Sequence, residues 1–275
     1  DRAMIATNTA WYLMLMGQYA EAERCGRSAV AEREEVLGRE HPDTLTSVSE
    51  LGVVLFRQGK YEDAEAIHRQ ALEGREKALG LGLEHPTTLI SVSELGTTMV
   101  SQGRYKEAEA MHQRALDRRE KIFGREHPST LISISKLGAV LERQGKYKEA
   151  EAMHQRALGE REKALGREHP DTLISVSNLG SVLWSRGQFA DAEVLELRVM
   201  EARKRVLGSD HPDTLAAMEN LAFTLRSQGR RQEALSLMEV SVQEQERVLG
   251  LSHPETKAST EWLRQWRLED LDGEA

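Results

Sequence analysis

The dipeptide His-Pro recurs six times, at His41-Pro42, His85-Pro86, His127-Pro128, His169-Pro170, His211-Pro212 and His253-Pro254. Successive pairs lie 44, 42, 42, 42 and 42 residues apart, the longer interval coming from two extra residues around Leu81-Gly82. Residues 85–126 and 127–168 agree at 29 of 42 aligned positions. A chain with such a period folds as a row of similar units, each burying one face against its neighbour.

Every unit contains two stretches with helical hydrophobic spacing. The first runs from about Asp43 to Gln58, with Leu45, Val48, Leu51 and Leu55 on one side. Pro42 suits a first helical turn, where its missing N–H would have no partner, and Asp43 complements the positive end of the helix dipole. Gly59-Lys60 predicts a tight turn. The second helix is predicted from about Tyr61 to Leu79, with Ala64, Ile67, His68, Ala71 and Leu72 facing inward and Gly80 as its C-terminal cap. Gly52, Gly96, Gly138 and Gly180 recur in mid-helix, where Gly costs roughly 1 kcal/mol relative to Ala. A neighbouring backbone is therefore expected to come close at each.

Leu51-Gly52, Gly59, Tyr61, Ala64 and Ala71, with their counterparts in later units, resemble the tetratricopeptide repeat along essentially the whole chain. The 42-residue period, with QGKYEDAEAIHRQAL leading into LGREHPDTL, is most similar to the repeats of kinesin light chains. Similar arrays form the C-terminal arms of nucleotide-binding NLR-type proteins. The resemblance implies an all-α, right-handed superhelical solenoid of six helix-turn-helix repeats, 1–40, 41–84, 85–126, 127–168, 169–210 and 211–252. A capping helix over 253–270 is expected to follow, because Arg264 stands where the packing Gly would be and Trp262 and Trp266 give an amphipathic face. The reading is one repeat domain over 1–275, a piece of a longer protein.

The resemblance also implies a non-catalytic scaffold or adaptor that receives a peptide or a partner helix on a concave face lined by first helices. By register, Ser49, Val53, Phe56 and Arg57 face that groove, as do Ser93, Ser135, Ser177, Met14, Trp11 and their neighbours in other repeats. The expected contact residues are Phe56, Arg57, Arg143, Asn178, Ser181, Trp184, Asn220, Phe223 and Arg226. Aromatic and Arg side chains are enriched at binding hot spots, although the same rings could instead pack against the next repeat. In kinesin light chains an Asn before the Leu-Gly pair can hold a peptide backbone. Here that place is held by Asn8, Glu50, Glu94, Lys136, Asn178 and Asn220, so a clamp is expected only around the last two, with Glu50, Glu94 and Lys136 as solvated residues. Arg57, Arg143 and Arg226 would favour acidic or aromatic-acidic partners. The alternative is a regulatory arm acting on other domains of its own parent protein.

Composition narrows the remainder. With 45 acidic against 37 basic residues the net charge is −8, without the basic excess that phosphate backbones demand. No apolar run nears the roughly 18 residues of a membrane span, and Cys25 is the sole cysteine. A soluble, cytoplasmic chain is expected, with a protein partner and neither nucleic acid nor membrane. The nine histidines read as structural, no metal or cofactor is expected, and no spacing suggests a catalytic group. Glu-Arg-Glu-Lys stretches such as Glu160-Arg161-Glu162-Lys163 read as opposite charges on a solvated face.

Overall fold

The computed structural model describes residues 2–78 and 85–273. Thirteen helices and no strand are found among them: α1 (Arg2–Leu15), α2 (Tyr19–Leu37), α3 (Pro42–Arg57), α4 (Tyr61–Ala78), α5 (Pro86–Ser101), α6 (Tyr105–Phe123), α7 (Pro128–Arg143), α8 (Tyr147–Leu165), α9 (Pro170–Ser185), α10 (Phe189–Leu207), α11 (Pro212–Ser227), α12 (Arg231–Val248) and α13 (Pro254–Gly273). They gather into two compact units, Asp1–Lys146 and Tyr147–Ala275. Unit 1 carries α1 to α7 and unit 2 carries α8 to α13.

The His-Pro pair is a helix start. In α3 the Nδ1 of His41 accepts the N–H of Asp43 at 3.2 Å while Pro42 opens the first turn. His85, His127, His169 and His211 cap α5, α7, α9 and α11 in the same way. Gly59 turns α3 into α4 at φ +77°, a left-handed conformation that side chains disfavour. Gly80 and the insertion at Leu81-Gly82 lie outside the described residues. Gly124, the counterpart of Gly80, follows α6 at φ +88° with its N–H bonded to the Glu120 carbonyl.

Apolar faces close the interior as the periodicity requires. Leu45, Val48, Leu51 and Leu55 of α3 are buried, and Ala64 and Ala71 of α4 are fully so. The crowding at the mid-helix glycines differs from the expectation. A Cβ on Gly52 would lie 2.6–2.9 Å from the imidazole of His68, and one on Gly96 would lie 3.0 Å from that of His112. The close neighbour is a buried ring on the paired helix rather than a backbone. Gly52→Ala is therefore expected to destabilise by about 1–3 kcal/mol through overpacking, despite the better helix propensity of Ala. At Gly180 the nearest atom stands 3.5 Å away, so Gly180→Ala should be neutral or stabilise by up to about 1 kcal/mol. Urea midpoints of the two variants check this, and equal shifts would refute it.

Polar ties join each repeat to the next. The Gln58 side chain, just past the end of α3, donates to the Tyr19 carbonyl (2.8 Å) and to Glu23 (2.9 Å) at the start of α2. Gln102 meets Tyr61 and Glu65 in this manner, Gln144 meets Tyr105 and Glu109, and Gln228 meets Phe189 and Glu193. A basic residue two places on, such as Lys60, adds an ion pair to the same carboxylate (2.7 Å to Glu23).

A second, buried tie corrects the sequence reading. Arg161 is 6% exposed and donates to Ser175 of α9, so it does not belong to a solvated charged face. Only its neighbours Glu160 and Lys163 form the exposed pair, at 3.3 Å. Arg75 likewise reaches Ser91, Ser49 (3.2 Å), the Thr87 carbonyl (3.1 Å) and the Leu45 carbonyl (3.4 Å). Arg119 reaches Ser93 (3.0 Å), Ser133 and the Leu89 carbonyl (3.3 Å). Ser49 and Ser93 are consequently interior residues, 8% and 3% exposed, where the register had placed them in the groove. Met14 is also buried.

In unit 2, α13 packs on α12 through Leu263 and Trp266, which are buried with Leu225, Met238 and Val242. Arg264 is exposed and paired with Glu261 at 2.5 Å, as a capping helix permits. Among the described residues no helix is long and apolar enough to cross a membrane.

Candidate functional site

Four expected contact residues, Ser181 and Trp184 on α9 and Asn220 and Phe223 on α11, line one cavity of about 270 Å³. Ser177, Thr224 and Glu196 of α10 complete its wall. Helical spacing explains the meeting: residues 177, 181 and 184 share one face of α9, as 220, 223 and 224 do on α11. Trp184 is 41% exposed. Its indole N–H donates to the Ser227 hydroxyl at 3.2 Å, and that hydroxyl donates to the Phe223 carbonyl at 2.9 Å. The ring sits edge-on to Phe189, with centroids 6.1 Å apart. Phe223 is half-buried and stands perpendicular to Trp262 and Trp266, with centroids 5.6 and 5.1 Å away. Asn220 is exposed and Asn178 half-buried.

Arg226 is engaged within unit 2. Its guanidinium pairs with Glu269 at 2.7 Å and Asp270 at 3.3 Å, and it stacks 4.8 Å above the Trp266 ring. The remaining expected residues are in unit 1. Phe56 is half-buried against Tyr61, 5.5 Å between centroids, while Arg57 and Arg143 are exposed. Glu50, Glu94 and Lys136 are half-buried rather than solvated. Lys136 reaches Thr97 at 3.1 Å and Glu94 at 3.6 Å, and burial pushes the Glu50 carboxyl up.

Glu196 was not foreseen as a site residue. It is 8% exposed, and burial pushes its carboxyl up to about 7. The available signal was its register: the same place holds His68, His112, His154 and Met238 in other repeats. A lone carboxylate among those residues marks a repeat with a different interior. No group of three or more metal-ligating side chains converges among the described residues.

Paired helices repeated at fixed register, tied by equivalent bonds, define a helical-repeat protein. The tetratricopeptide-repeat profile matches residues 1–77, 86–159, 132–204 and 177–243, and the chain belongs to that family. Among solved structures it is similar to a Podosopora anserina protein described as a kinesin light chain with nearly identical repeats. That similarity has 30% identity, covers 76% of this chain and 98% of that one, and has a TM-score of 0.66. BtubC of P. vanneervenii shares the fold at 19% identity, 84% and 92% coverage and a TM-score of 0.69. A Rap protein complexed with Competence and Sporulation Factor shares it at 14% identity, 98% and 75% coverage and a TM-score of 0.60. No curated protein sequence matches the chain.

Proposed function

We propose that this chain is a non-catalytic interaction scaffold that receives an extended peptide or partner helix along its first-helix face. The observation that carries this reading is the cavity in unit 2. It combines a part-exposed Trp, a half-buried Phe, hydroxyls and an Asn on helices that present equivalent positions repeat after repeat. Aromatic anchors in partly closed pockets are the usual centres of binding energy, and backbone-binding amides beside them favour an extended segment. The exposed Arg57 and Arg143 add positive rim charge in unit 1, which would tune association rate more than affinity.

A displayed random-peptide selection on the purified chain tests the reading. A shared motif should enrich, and its binding should fall at least roughly tenfold in Trp184→Ala/Asn178→Ala/Asn220→Ala, since one hot-spot truncation costs about 2 kcal/mol or more. Arg226 is kept intact because its loss would loosen α13. A folded chain that enriches no motif, or a motif bound equally by the variant, sinks the peptide-groove reading. The first of these results would favour action on other domains of a parent protein.

A further inference from the structure

The cavity's chemistry specifies more than a peptide. Oε2 of Glu196 has no hydrogen-bond partner of good geometry, although the residue is 8% exposed; the Thr224 hydroxyl on the same wall is the one neutral group that offsets the burial of its carboxyl. Buried polar atoms are nearly always satisfied, and a buried carboxylate without a partner is costly. Here the unsatisfied oxygen belongs to a residue lining an accessible cavity whose wall includes two aromatic rings, Trp184 and Phe223. An anionic occupant would face Glu196, and an aliphatic one would leave Oε2 unsatisfied. A cation satisfies the carboxylate and is also attracted to aromatic faces. At about 270 Å³ the space falls just below the roughly 300–1,000 Å³ of small-molecule sites, which suits one long side chain.

We infer that this cavity is a receptor pocket for a single cationic side chain, arginine or lysine, of a bound peptide, with Glu196 as its counter-charge and Trp184 and Phe223 as its walls. The inference rests on the peptide-scaffold reading for the kind of ligand, and on Glu196 for its charge. It reverses, for this pocket, the acidic preference that Arg226 had suggested, because that guanidinium is already neutralised by Glu269 and Asp270.

The surroundings leave Glu196 as the ionisable group of the pocket. On its own helix Glu193 lies a turn before it and is bonded to Gln228 and Arg230. From α9 the wall carries Ser177, Ser181 and Trp184, none of which ionises near neutrality. On α11 the flanking charged residues are Glu219, bonded to Ser241, Gln245 and Ser259, and Arg226. With the carboxyl raised to about 7 by burial, proton and cation compete, so cation binding strengthens as pH rises from 6 to 8. The ionised fraction changes about tenfold over that range.

The test uses Nα-acetyl-argininamide, its neutral isostere Nα-acetyl-citrullinamide and Nα-acetyl-lysinamide. Each is titrated into the intact chain while the Trp184 indole N–H resonance, assigned from Trp184→Phe, is followed by NMR. The arginine probe should shift it in a saturable manner, about tenfold more weakly at pH 6 than at pH 8. The citrulline probe should not shift it, and Glu196→Gln should abolish the arginine response while its thermal unfolding shows a folded chain. Saturation by the lysine probe as well would assign the pocket to either cation; none by lysine would assign it to guanidinium. An unmoved indole, equal shifts by arginine and citrulline, or an unchanged Glu196→Gln response would each overturn the inference. A peptide motif lacking basic residues, together with an unmoved indole, would leave the scaffold reading standing alone.

Discussion

Lowering the pH from 7.5 to 5 should destabilise unit 1 by several kcal/mol, and replacing its inner histidines by Met should remove most of that loss. His68 and His112 are 1% and 2% exposed, and burial pushes each down to about 4 from the ordinary 6.5. Each ring is therefore neutral in the folded chain and takes up a proton more readily once unfolded. The sign follows: their stability contribution is present above about 6.5 and lost as pH falls toward 4. By pH 5 the loss is about 2 kcal/mol per ring, a large share of the 5–15 kcal/mol that holds a typical domain. In unit 2, His154 behaves in the same way, but Glu196 opposes it. Its carboxyl is raised to about 7 from 4.5, so its stabilising protonation is gained as pH falls through that range. Acid lability should thus concentrate in unit 1.

Met is the natural replacement because repeat six already carries Met238, fully buried, at that register. The exchange also removes ring Nδ1 atoms that have no hydrogen-bond partner at His68 and His112. Urea unfolding at the two pH values, followed by probes in each unit, is the measurement. If the His68→Met/His112→Met chain loses as much stability at pH 5 as the parent, the rings are not responsible.

Arg119→Ala should cost about 3–4 kcal/mol, whereas Arg119→Met should cost less than about 1.5 kcal/mol. The Ala variant removes a buried stem and leaves a cavity, a change that typically costs 2–5 kcal/mol for long side chains. It also deletes the hydrogen bonds to Ser93, Ser133 and the Leu89 carbonyl. Met keeps the volume, and the acceptors keep other partners: the Ser93 hydroxyl donates to the Leu89 carbonyl at 2.9 Å, and that of Ser133 to the Ser129 carbonyl at 3.4 Å. Losing a hydrogen bond costs little when the groups left behind stay satisfied, and Glu94, the carboxylate whose charge Arg119 feels, keeps Lys136 at 3.6 Å. Chemical denaturation of the two variants decides. Equal large losses would mean that the guanidinium bonds themselves, and not the filled space, hold α6 to α5 and α7.

The repeat period, helix starts, capping helix and apolar faces were all legible, because they depend on spacing within one repeat. Arg161 was misread as surface charge, and the ties of Arg75 and Arg119 went unread, because their burial depends on Ser175, Ser91 and Ser133, contributed by the following first helix. A clue lay within the chain. Arg recurs at 33, 75, 119, 161 and 203 while the residue before it changes from Glu to Gly, Arg, Glu and Ala. A residue constant among variable neighbours is doing something its neighbours are not. The cavity residues Ser181, Trp184, Asn220 and Phe223 were legible from helical register. Glu196 was not, since nothing local distinguishes an inward Glu from the many outward ones.

The ties between repeats also bear on how such a chain can change length. Each donor has an acceptor in an adjacent repeat, and Arg75 and Arg119 have acceptors in their own as well, so a recombination event that inserts or deletes a whole 42-residue period hands these Gln and Arg side chains equivalent partners. Other lengths are tolerated only between the second helix and the next His-Pro start, as in the 44-residue repeat, where Arg75 still meets Ser91 across two extra residues. The exchange is not open at every position. At the register of Ser49 and Arg75, repeat six carries Glu219 and Gln245, bonded at 2.7 Å, with Ser259 of α13 completing the set. Copies of the middle repeats are thus interchangeable modules, while the sixth is matched to its own capping helix and would travel with it as a cassette.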